Sequence, residues 1–288
     1  MAIDLRGKAI VITGASSGIG AATALACARA GMSVALGARR LDKLEALVAK
    51  LRQSGAAAIC EPTDVTDPAS CQRLVDRAKA ELGGVYAVFA NAGYGLEAPL
   101  HEMTGAQVRD MFEVNVFGSL NIIRPALAAI LERAPKGDQA QQHPQRPAVP
   151  IGHVLWCSSC LAKLSIPQYG VYCATKSAQH HLGRAMRLEL RPLGVEVATV
   201  HPIGTRTEFF DTAAKLSSSA KLLERGGQRF MQEPGVVAAR VVACLKRPRP
   251  EVWTGLNGQL ARVSLSLASF TPRISDALMS WAMNRRMR

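Results

Sequence analysis

The sequence has 288 residues, of which 48% are apolar and 20% are charged, and its formal net charge is +13. This length suits one large α/β domain better than two small ones. No apolar run reaches the roughly 18 residues of a transmembrane helix, and the first residues lack the apolar core of a signal peptide. We therefore expect a cytoplasmic protein. A basic chain can attract nucleic acid or lipid, but no groove-reading motif accompanies the charge, so we predict no nucleic-acid partner.

The first third of the chain alternates short apolar runs with helical patterns. Residues 8–12 form an apolar run of the kind that makes a buried parallel strand. The next predicted elements are a helix over 19–30, a strand over 33–38, an amphipathic helix over 41–53, and strands over 57–60 and 85–90.

The alternation continues in the second half with a helix over 105–132, a strand over 153–157, a helix over 172–190 and a strand over 195–200. This order predicts an α/β fold with a doubly wound parallel sheet, the Rossmann fold. We assign residues 1–250 to a single domain of this kind. Residues 133–152 are rich in Pro and Gln, and their length indicates a surface insertion.

A helical extension is predicted over residues 251–288. One apolar stripe runs from Leu256 to Phe270, and a second helix is expected to begin at Thr271-Pro272 and to end in an arginine-rich segment. In one interpretation both helices pack on the domain or on a partner subunit. In the other they cover a substrate entrance or lie on an anionic membrane surface, giving peripheral membrane association.

A glycine-rich turn follows the first predicted strand and opens the first helix, with the spacing G-x-x-x-G-x-G from Gly14 to Gly20. Glycines let the backbone approach a pyrophosphate, and the helix that follows offers free N–H groups to that anion. We predict nucleotide contacts from Gly14, Ser16, Ser17, Gly18, Ile19 and Gly20.

The end of the second predicted strand bears on the choice of dinucleotide. NAD-binding sites commonly carry an acid there for the ribose 2′-hydroxyl, whereas this sequence has Ala38 followed by Arg39 and Arg40. A guanidinium attracts a 2′-phosphate and can bind it with two hydrogen bonds. We therefore predict NADP(H) as the cofactor, with Arg39 the favoured contact and Arg40 the alternative.

Tyr172 and Lys176 lie four residues apart on a predicted helix and so share one face. A free phenol has a pKa near 10, and a neighbouring ammonium is expected to lower it toward the range useful for proton transfer. We predict Tyr172 as the acid/base and Lys176 as its partner.

Several motifs together resemble the short-chain dehydrogenase/reductase family over roughly residues 5–210. They are the glycine-rich turn, Asn91-Ala92-Gly93, Asn115, Ser159 and Tyr172-x-x-x-Lys176, in the family's order and spacing. The resemblance implies a carbonyl reductase-like oxidoreductase that moves a hydride between nicotinamide and a carbonyl or alcohol carbon.

The resemblance also implies roles for individual residues. Ser159, thirteen residues before Tyr172, would bond the substrate oxygen, with Ser158 as the alternative. Asn115 would organise a water that relays protons to Lys176, and Lys176 would also hold the nicotinamide ribose. Further cofactor contacts are implied for Asp64, Val65, Asn91, Ala92, Gly93, Pro202, Ile203, Gly204, Thr205 and Thr207. The sequence departs from the family at Ile203 and Ala90, where the family often has Gly and Asn.

The resemblance places the substrate pocket in the segments after Gly93, Ser159 and Thr207. They supply Tyr94, Leu96, Leu161, Leu164, Tyr169, Phe209 and Phe210, a set that favours an apolar small-molecule carbonyl or alcohol. Members of the family often pair through helices, so we expect a homodimer or homotetramer. The rival hypothesis is a dinucleotide-sensing scaffold with little turnover.

No metal site is predicted. Cys157 and Cys160 have the C-x-x-C spacing, but a zinc ribbon needs a second pair. His180 and His181 have no ligand partner at a suitable spacing, and we interpret them as helix-surface or interface residues.

Overall fold

The computed structural model describes residues 2–133, 149–209 and 231–254, together with Ala213 and Arg273. Within these residues strands and helices alternate along the chain. The strands are β1 (Ala9–Thr13), β2 (Ser33–Ala38), β3 (Ala58–Pro62), β4 (Ala87–Ala90), β5 (Gly152–Cys157), β6 (Val195–His201) and β7 (Glu251–Trp253). The helices are α1 (Gly18–Arg29), α2 (Leu41–Gln53), α3 (Pro68–Leu82), α4 (Gly105–Phe112), α5 (Gly118–Leu131), α6 (Gly170–Leu190) and α7 (Pro234–Lys246).

The seven strands form one parallel sheet in the order β3-β2-β1-β4-β5-β6-β7. In its centre, Val11 of β1 pairs with Ala35 of β2 on one side and Val88 of β4 on the other. The order reverses between β1 and β4, which is the point where doubly wound sheets bind ligands. The predicted fold class is confirmed.

Helices cover both faces of the sheet, and successive side chains of a strand enter different cores. Ile10 and Ile12 of β1 pack with residues of α1, α2 and α7. Val11 points the other way and packs with α3 and α5. A central strand buried on both faces has to be apolar throughout, which explains the unbroken apolar run in its sequence.

Helix α3 was not among the predicted helices, although its ends carry clear signals. Asp67 caps it by accepting a hydrogen bond from the Ala69 amide, Pro68 occupies the first turn, and Gly83 ends it in the left-handed conformation with φ 75°. This helix makes the crossover from β3 to β4 and completes the second core.

The helix predicted over 105–132 is interrupted. A π-helical turn over Glu113–Phe117 separates α4 from α5. By length and composition the run from Gly105 to Leu131 could cross a membrane, but half of its apolar window is buried inside the protein. It packs on α3 and β4, as a core helix does.

The sheet extends beyond residue 250, where the sequence analysis ended the domain. β7 pairs with β6 through Val200 and Val252, so this short strand belongs to the domain. Most of the predicted insertion, residues 134–148, lies outside the described residues. So does the predicted C-terminal extension beyond Thr254, Arg273 excepted.

Candidate active site

The predicted site residues meet at the carboxyl ends of the parallel strands. The glycine-rich turn follows β1, the two arginines follow β2, and Asn91 follows β4. Ser159 follows β5, and the segment beginning at Pro202 follows β6. Because all strands are parallel, these ends share one edge of the sheet.

The glycine-rich turn has a shape that only glycine allows at some positions. Gly14 and Gly18 have φ angles of 63° and 56°, in the left-handed region that disfavours side chains. A Cβ at Gly20 would lie 2.3 Å from the Gly14 carbonyl oxygen. Helix α1 begins at Gly18, so its first N–H groups open toward this edge.

Two other segments close on this turn. The Asn91 side-chain amide donates to the carbonyl oxygens of Thr13 at 3.0 Å and Gly14 at 3.3 Å. Thr207 packs so closely that a Cβ at Gly18 would lie 2.9 Å from its methyl carbon. The structure thus brings the predicted segments after β1, β4 and β6 together.

Arg40 reaches this turn. Its Nη2 donates to the hydroxyl oxygens of Ser16 at 2.9 Å and Ser17 at 2.8 Å. Its Nη1 donates to the Glu208 carboxylate at 2.7 Å, and Lys43 donates to the other oxygen of that carboxylate at 2.8 Å. These cations hold the pKa of Glu208 down at about 2.

Arg39, the favoured candidate of the sequence analysis, is exposed and lies near Asp64. The Thr66 amide and hydroxyl both donate to Asp64, and chiefly these bonds lower the pKa of its carboxyl group. Val65 is buried against α5, where a Cβ at Gly118 would meet it at 2.6 Å.

The two candidate serines after β5 point in different directions. The Ser158 hydroxyl donates to the Lys176 carbonyl oxygen at 2.8 Å, so this side chain is bonded to the backbone of α6. The Ser159 hydroxyl lies beside Tyr172, and its hydrogen bond opposes the effect of burial on the tyrosine. Of the two, Ser159 therefore has the geometry to bond an oxygen that also meets Tyr172.

Lys176 is buried, with 4% of its surface exposed. Its ammonium lies 5.5 Å from the centroid of the Tyr172 ring and donates to the Cys157 carbonyl oxygen at 2.8 Å. Burial disfavours the charged form and lowers the pKa of Lys176 to about 8.

The sequence analysis expected the ammonium to lower the pKa of Tyr172, and the structure gives the opposite direction. Burial of the phenol raises its pKa and outweighs the hydrogen bond from Ser159. At neutral pH the proton therefore stays on Tyr172.

Asn115 lies in the π turn and is fully buried. Its side-chain oxygen accepts from the Tyr94 amide at 2.9 Å, and its Nδ2 donates to the Tyr94 carbonyl at 2.9 Å and to the Thr175 hydroxyl at 3.0 Å. It ties the segment after β4 to helix α6. A Cβ at Gly93 would lie 2.9 Å from the Asn115 side-chain oxygen and 3.4 Å from the Lys176 ammonium.

An apolar cluster includes Tyr172. Five predicted pocket residues belong to it: Tyr94, Leu96, Leu161, Tyr169 and Phe209. Leu164 is half-buried and is not among the residues that form this cluster. Phe210 lies outside the described residues.

The segment after β6 runs from the candidate serine to the turn. The Pro202 carbonyl accepts from the Cys160 amide at 3.0 Å, and the Thr205 hydroxyl donates to the Ile203 carbonyl at 2.7 Å. The Gly204 carbonyl accepts from the Gln232 amide at 2.9 Å. These bonds fix the approach of Thr207 to Gly18.

The sequence matches the family model described as short chain dehydrogenase over residues 8–216. The chain belongs to the short-chain dehydrogenase/reductase family. It is an oxidoreductase of that family, as the sequence analysis predicted.

Among curated relatives, an uncharacterized oxidoreductase of Listeria innocua is 33% identical over 243 residues, which cover 84% of this chain and 90% of the relative. A glycine betaine reductase of Emericella nidulans is 35% identical over 244 residues. That match covers 85% of this chain but only 18% of the much longer relative.

Solved structures of the family superpose closely. An alcohol dehydrogenase from the archaeon Thermococcus sibiricus, complexed with 5-hydroxy-NADP, has 30% identity and a TM-score of 0.70, covering 85% of this chain and 94% of its own. A short-chain dehydrogenase/reductase from Burkholderia phymatum in complex with NAD has 26% identity and a TM-score of 0.80, covering 94% and 96%. The family thus includes neighbours in complex with either type of dinucleotide.

Gln179 is a site residue that the sequence analysis missed. Its side-chain oxygen accepts from the Lys176 ammonium at 3.0 Å, and its Nε2 donates to the Asn115 carbonyl and, at 2.9 Å, to the Ser119 hydroxyl. A glutamine on a helix is usually solvated, so only its place three residues after Lys176, on the same helix face, could have pointed to it.

His201 was also missed. Its Nδ1 lies 2.8 Å from the Ser159 carbonyl oxygen, and its Nε2 lies 2.9 Å from the Thr199 hydroxyl. A carbonyl can only accept, so Nδ1 carries the proton. The ring stacks on Trp253 with 4.6 Å between centroids. His201 therefore holds the backbone of the candidate serine.

The interpretation of His180 as a surface or interface residue was wrong, because it is 1% exposed. Its Nε2 lies 2.8 Å from the Lys163 ammonium and 3.9 Å from Glu251, and ligand atoms of His180, His201 and Glu251 lie within 4.8 Å of one another. The Lys163 ammonium is the cation of this group, and it also lies 3.6 Å from the Glu251 carboxylate. We interpret the group as a largely buried network built on the Lys163–Glu251 ion pair.

Glu97 is a buried acid within the apolar cluster. It is 1% exposed and accepts a hydrogen bond from the Tyr169 hydroxyl at 3.1 Å. Burial, together with this carboxylate, raises the pKa of Tyr169. Gln168, next to that tyrosine, has the unusual φ of 67° and offers its carbonyl to the Ala98 amide, which fixes the two segments together.

Proposed function

We propose that this protein is an NADP(H)-dependent carbonyl reductase in which Tyr172 protonates the oxygen of an apolar carbonyl substrate. The observation that carries the proposal is the buried group of Ser159, Tyr172 and Lys176 at the carboxyl edge of the sheet, beside the glycine-rich turn. Ser159 is 7% exposed, Tyr172 8% and Lys176 4%.

The proposed chemistry needs a proton donor at one fixed point. The nicotinamide, when bound, supplies a hydride to the carbonyl carbon. The Ser159 hydroxyl orients the carbonyl oxygen, and the Tyr172 hydroxyl gives its proton to that oxygen to complete the alcohol. The Lys176 ammonium then stabilises the phenolate that remains.

The direction of the pKa shift of Tyr172 supports its proposed role as the acid in a reduction. Burial keeps the phenol of Tyr172 protonated at neutral pH, and the protonated form is the one that can act as an acid. Asn115 and Gln179 would keep Lys176 in place through their contacts with α6 and with each other.

The proposed cofactor fits the residues of the glycine-rich turn and of the segment after β2. The positive φ angles of Gly14 and Gly18 and the start of α1 suit a pyrophosphate. Arg40 and Lys43 would bind a 2′-phosphate, and Arg40 is already bonded to the serines of the turn. These two cations support NADP(H) over NAD(H).

The apolar cluster supports an apolar substrate. It supplies aromatic and aliphatic side chains next to Tyr172, whose ring lies 5.4 Å from that of Phe209 and 6.2 Å from that of Tyr169 between centroids. A bulky ketone or aldehyde would bury apolar surface there, which favours binding by about 25 cal/mol per Å².

The test is a panel of apolar aldehydes, ketones and quinones assayed by NADPH consumption, with wild type and Tyr172→Phe. We expect the variant to lose nearly all turnover, by about 10²-fold or more, while its NADPH affinity stays within about twofold, because only the transferable proton is removed. Tyr86→Phe is the matched control, since Tyr86 is a buried tyrosine in the core.

The proposal fails if Tyr172→Phe retains more than a small fraction of wild-type turnover on a good substrate. A wild-type protein that binds NADPH and reduces no member of a broad panel would instead favour a dinucleotide-sensing scaffold.

A further inference from the structure

One carboxylate occupies both cations that the proposed 2′-phosphate site would use. Glu208 Oε2 lies 2.7 Å from Arg40 Nη1, and its Oε1 lies 2.8 Å from Lys43 Nζ. The acid comes from the segment after β6, whereas the two cations come from the end of β2 and the start of α2. The carboxylate therefore joins segments 165 and 168 residues apart in sequence.

This contact is built into the glycine-rich turn. The same guanidinium that bonds Glu208 donates to Ser16 and Ser17. Thr207, the residue before Glu208, packs on Gly18. Glu208 thus reaches Arg40 from a backbone that already lies against the turn.

A carboxylate and a phosphate use a guanidinium in the same way. A carboxylate is a planar oxyanion and a phosphate is a tetrahedral one, and each can accept two parallel N–H bonds from one arginine. The pKa of Glu208 is held at about 2, so the side chain is ionised at neutral pH. The ionised carboxylate of Glu208 therefore occupies the position that a 2′-phosphate would take between Arg40 and Lys43.

We infer that Glu208 is an internal competitor for the 2′-phosphate of NADP(H) and thereby sets how strongly the protein prefers NADP(H) to NAD(H). This inference rests on the cofactor site of the proposed function. NAD(H) has a 2′-hydroxyl and can bind with the Glu208 contacts intact. NADP(H) has to displace the carboxylate, so part of its attraction to the cations is offset.

The effect is modest in size, because the three side chains are 42–45% exposed. Exposed ion pairs are weak, because hydration and side-chain entropy offset most of their attraction. Removing the competitor should therefore tighten NADPH binding by about twofold to tenfold.

The experiment is isothermal titration of wild type and Glu208→Gln with NADPH, NADH and adenosine 2′,5′-bisphosphate. We expect the variant to bind NADPH and the bisphosphate several-fold more tightly and NADH almost unchanged. Glu132→Gln is the matched control. Glu132 pairs with Lys79 at 2.8 Å on the protein surface, just after α5 and before the chain returns to the amino end of β5. The Glu132→Gln substitution removes the same charge far from the glycine-rich turn and should alter none of the three affinities.

A double variant makes the test specific. In an Arg40→Gln background the gain from Glu208→Gln should shrink, because one of the two contested cations is gone. The inference is overturned if Glu208→Gln changes the ratio of NADPH to NADH affinity no more than Glu132→Gln does. That result counts against the inference even if the wild-type protein prefers NADPH. A wild type that binds NADH more tightly contradicts the proposed cofactor, whereas a rise of the ratio in Glu208→Gln would still uphold the competitor.

Discussion

At the scale of single residues, two acceptors hold the Lys176 ammonium, the Cys157 carbonyl oxygen and the buried amide of Gln179. Gln179 is 0% exposed and bridges the ammonium and the Asn115 carbonyl. The family resemblance assigned the neighbourhood of Asn115 and Lys176 to a relay water, and here the Gln179 side chain makes that connection. An amide holds two groups at a fixed distance but does not pass protons as readily as water.

Replacing Gln179 with Met keeps the volume and removes both hydrogen bonds. The ammonium then loses an acceptor that favours its charged form, so its pKa should fall below the present value of about 8. We expect turnover to fall by roughly tenfold to a hundredfold and the loss of rate with rising pH to begin at a lower pH.

The measurement is the pH profile of kcat and of NADPH affinity. Gln107→Met is a suitable control, because Gln107 belongs to the capping box at the start of α4. A Gln179→Met enzyme with reduced kcat but the wild-type pH profile would show that the amide supports packing only.

Spacing alone could predict Tyr172 and Lys176, because four residues on a helix return to the same face. It could not show which of Arg39 and Arg40 contacts the serines of the glycine-rich turn. Successive residues of an extended segment point to opposite sides, and the sequence does not reveal which side faces the turn. His201 lay hidden for a related reason, since its partner is a backbone carbonyl 42 residues away.

At the scale of elements, the tight junction of β1 and α1 explains why the glycines of the turn are needed. Gly20 lies in helix α1. A Cβ at this position would lie 2.3 Å from the Gly14 carbonyl oxygen and 2.8 Å from the side-chain amide nitrogen of Asn91. The first of these neighbours is backbone and cannot rotate away.

Gly20→Ala sets two effects against each other. Alanine favours a helix over glycine by about 1 kcal/mol, but overpacking against backbone costs about 1–3 kcal/mol or more. We expect a net loss of stability and a large loss of NADPH affinity, because the turn has to open. Urea unfolding and titration measure the two effects.

Gly235→Ala is the control for that prediction, since it adds the same methyl group near the start of α7 with nothing within 4 Å of the new Cβ. It should be neutral or stabilising by up to about 1 kcal/mol. A Gly20→Ala protein as stable as Gly235→Ala would contradict the close approach.

Periodicity predicted the long helix over 105–132 but not the π turn within it. Apolar residues continue on both sides of this turn, so the pattern alone does not mark it. The turn matters because it leaves the Asn115 carbonyl free to accept from Ser119 and Gln179. Such π turns often occur at functional sites.

At the scale of the whole molecule, the parallel sheet was predictable because central strands are apolar throughout and helices separate them. β7 was not, since it has three residues and follows a proline-rich segment. The ion-pair network of Lys163, His180 and Glu251 was equally out of reach, because its members come from three separate segments. Their contacts exist only once the chain has folded.

Buried ionisable groups limit the pH range in which the whole fold is stable. Burial lowers the pKa of His153 and of His180 to about 3. The unfolded chain binds protons at these histidines from about pH 6.5 downward, whereas the folded protein does not until about pH 3. Their contribution to stability is therefore complete above pH 6.5 and is lost as the pH falls.

Buried thiols act at the alkaline end. Burial raises the pKa of Cys27 and Cys71 to about 12, above the value of about 8.5 for an exposed thiol. Between these values the unfolded chain loses protons that the folded protein keeps, so stability falls with rising pH. The free energy of unfolding should be largest between about pH 6.5 and pH 8.5.

His153→Leu tests the acid limb of this profile. His153 is 1% exposed and lies on β5 beside the ring of Tyr86. Removing its ionisation should reduce the loss of unfolding free energy between pH 7 and pH 4 by up to about 3 kcal/mol. Part of the loss should remain, because His180 still titrates in the unfolded chain. His101→Gln, at a histidine whose side chain is 84% exposed, should leave the wild-type pH dependence in place. Urea unfolding at both pH values gives the comparison, and an unchanged acid slope in His153→Leu would mean that other groups determine acid stability.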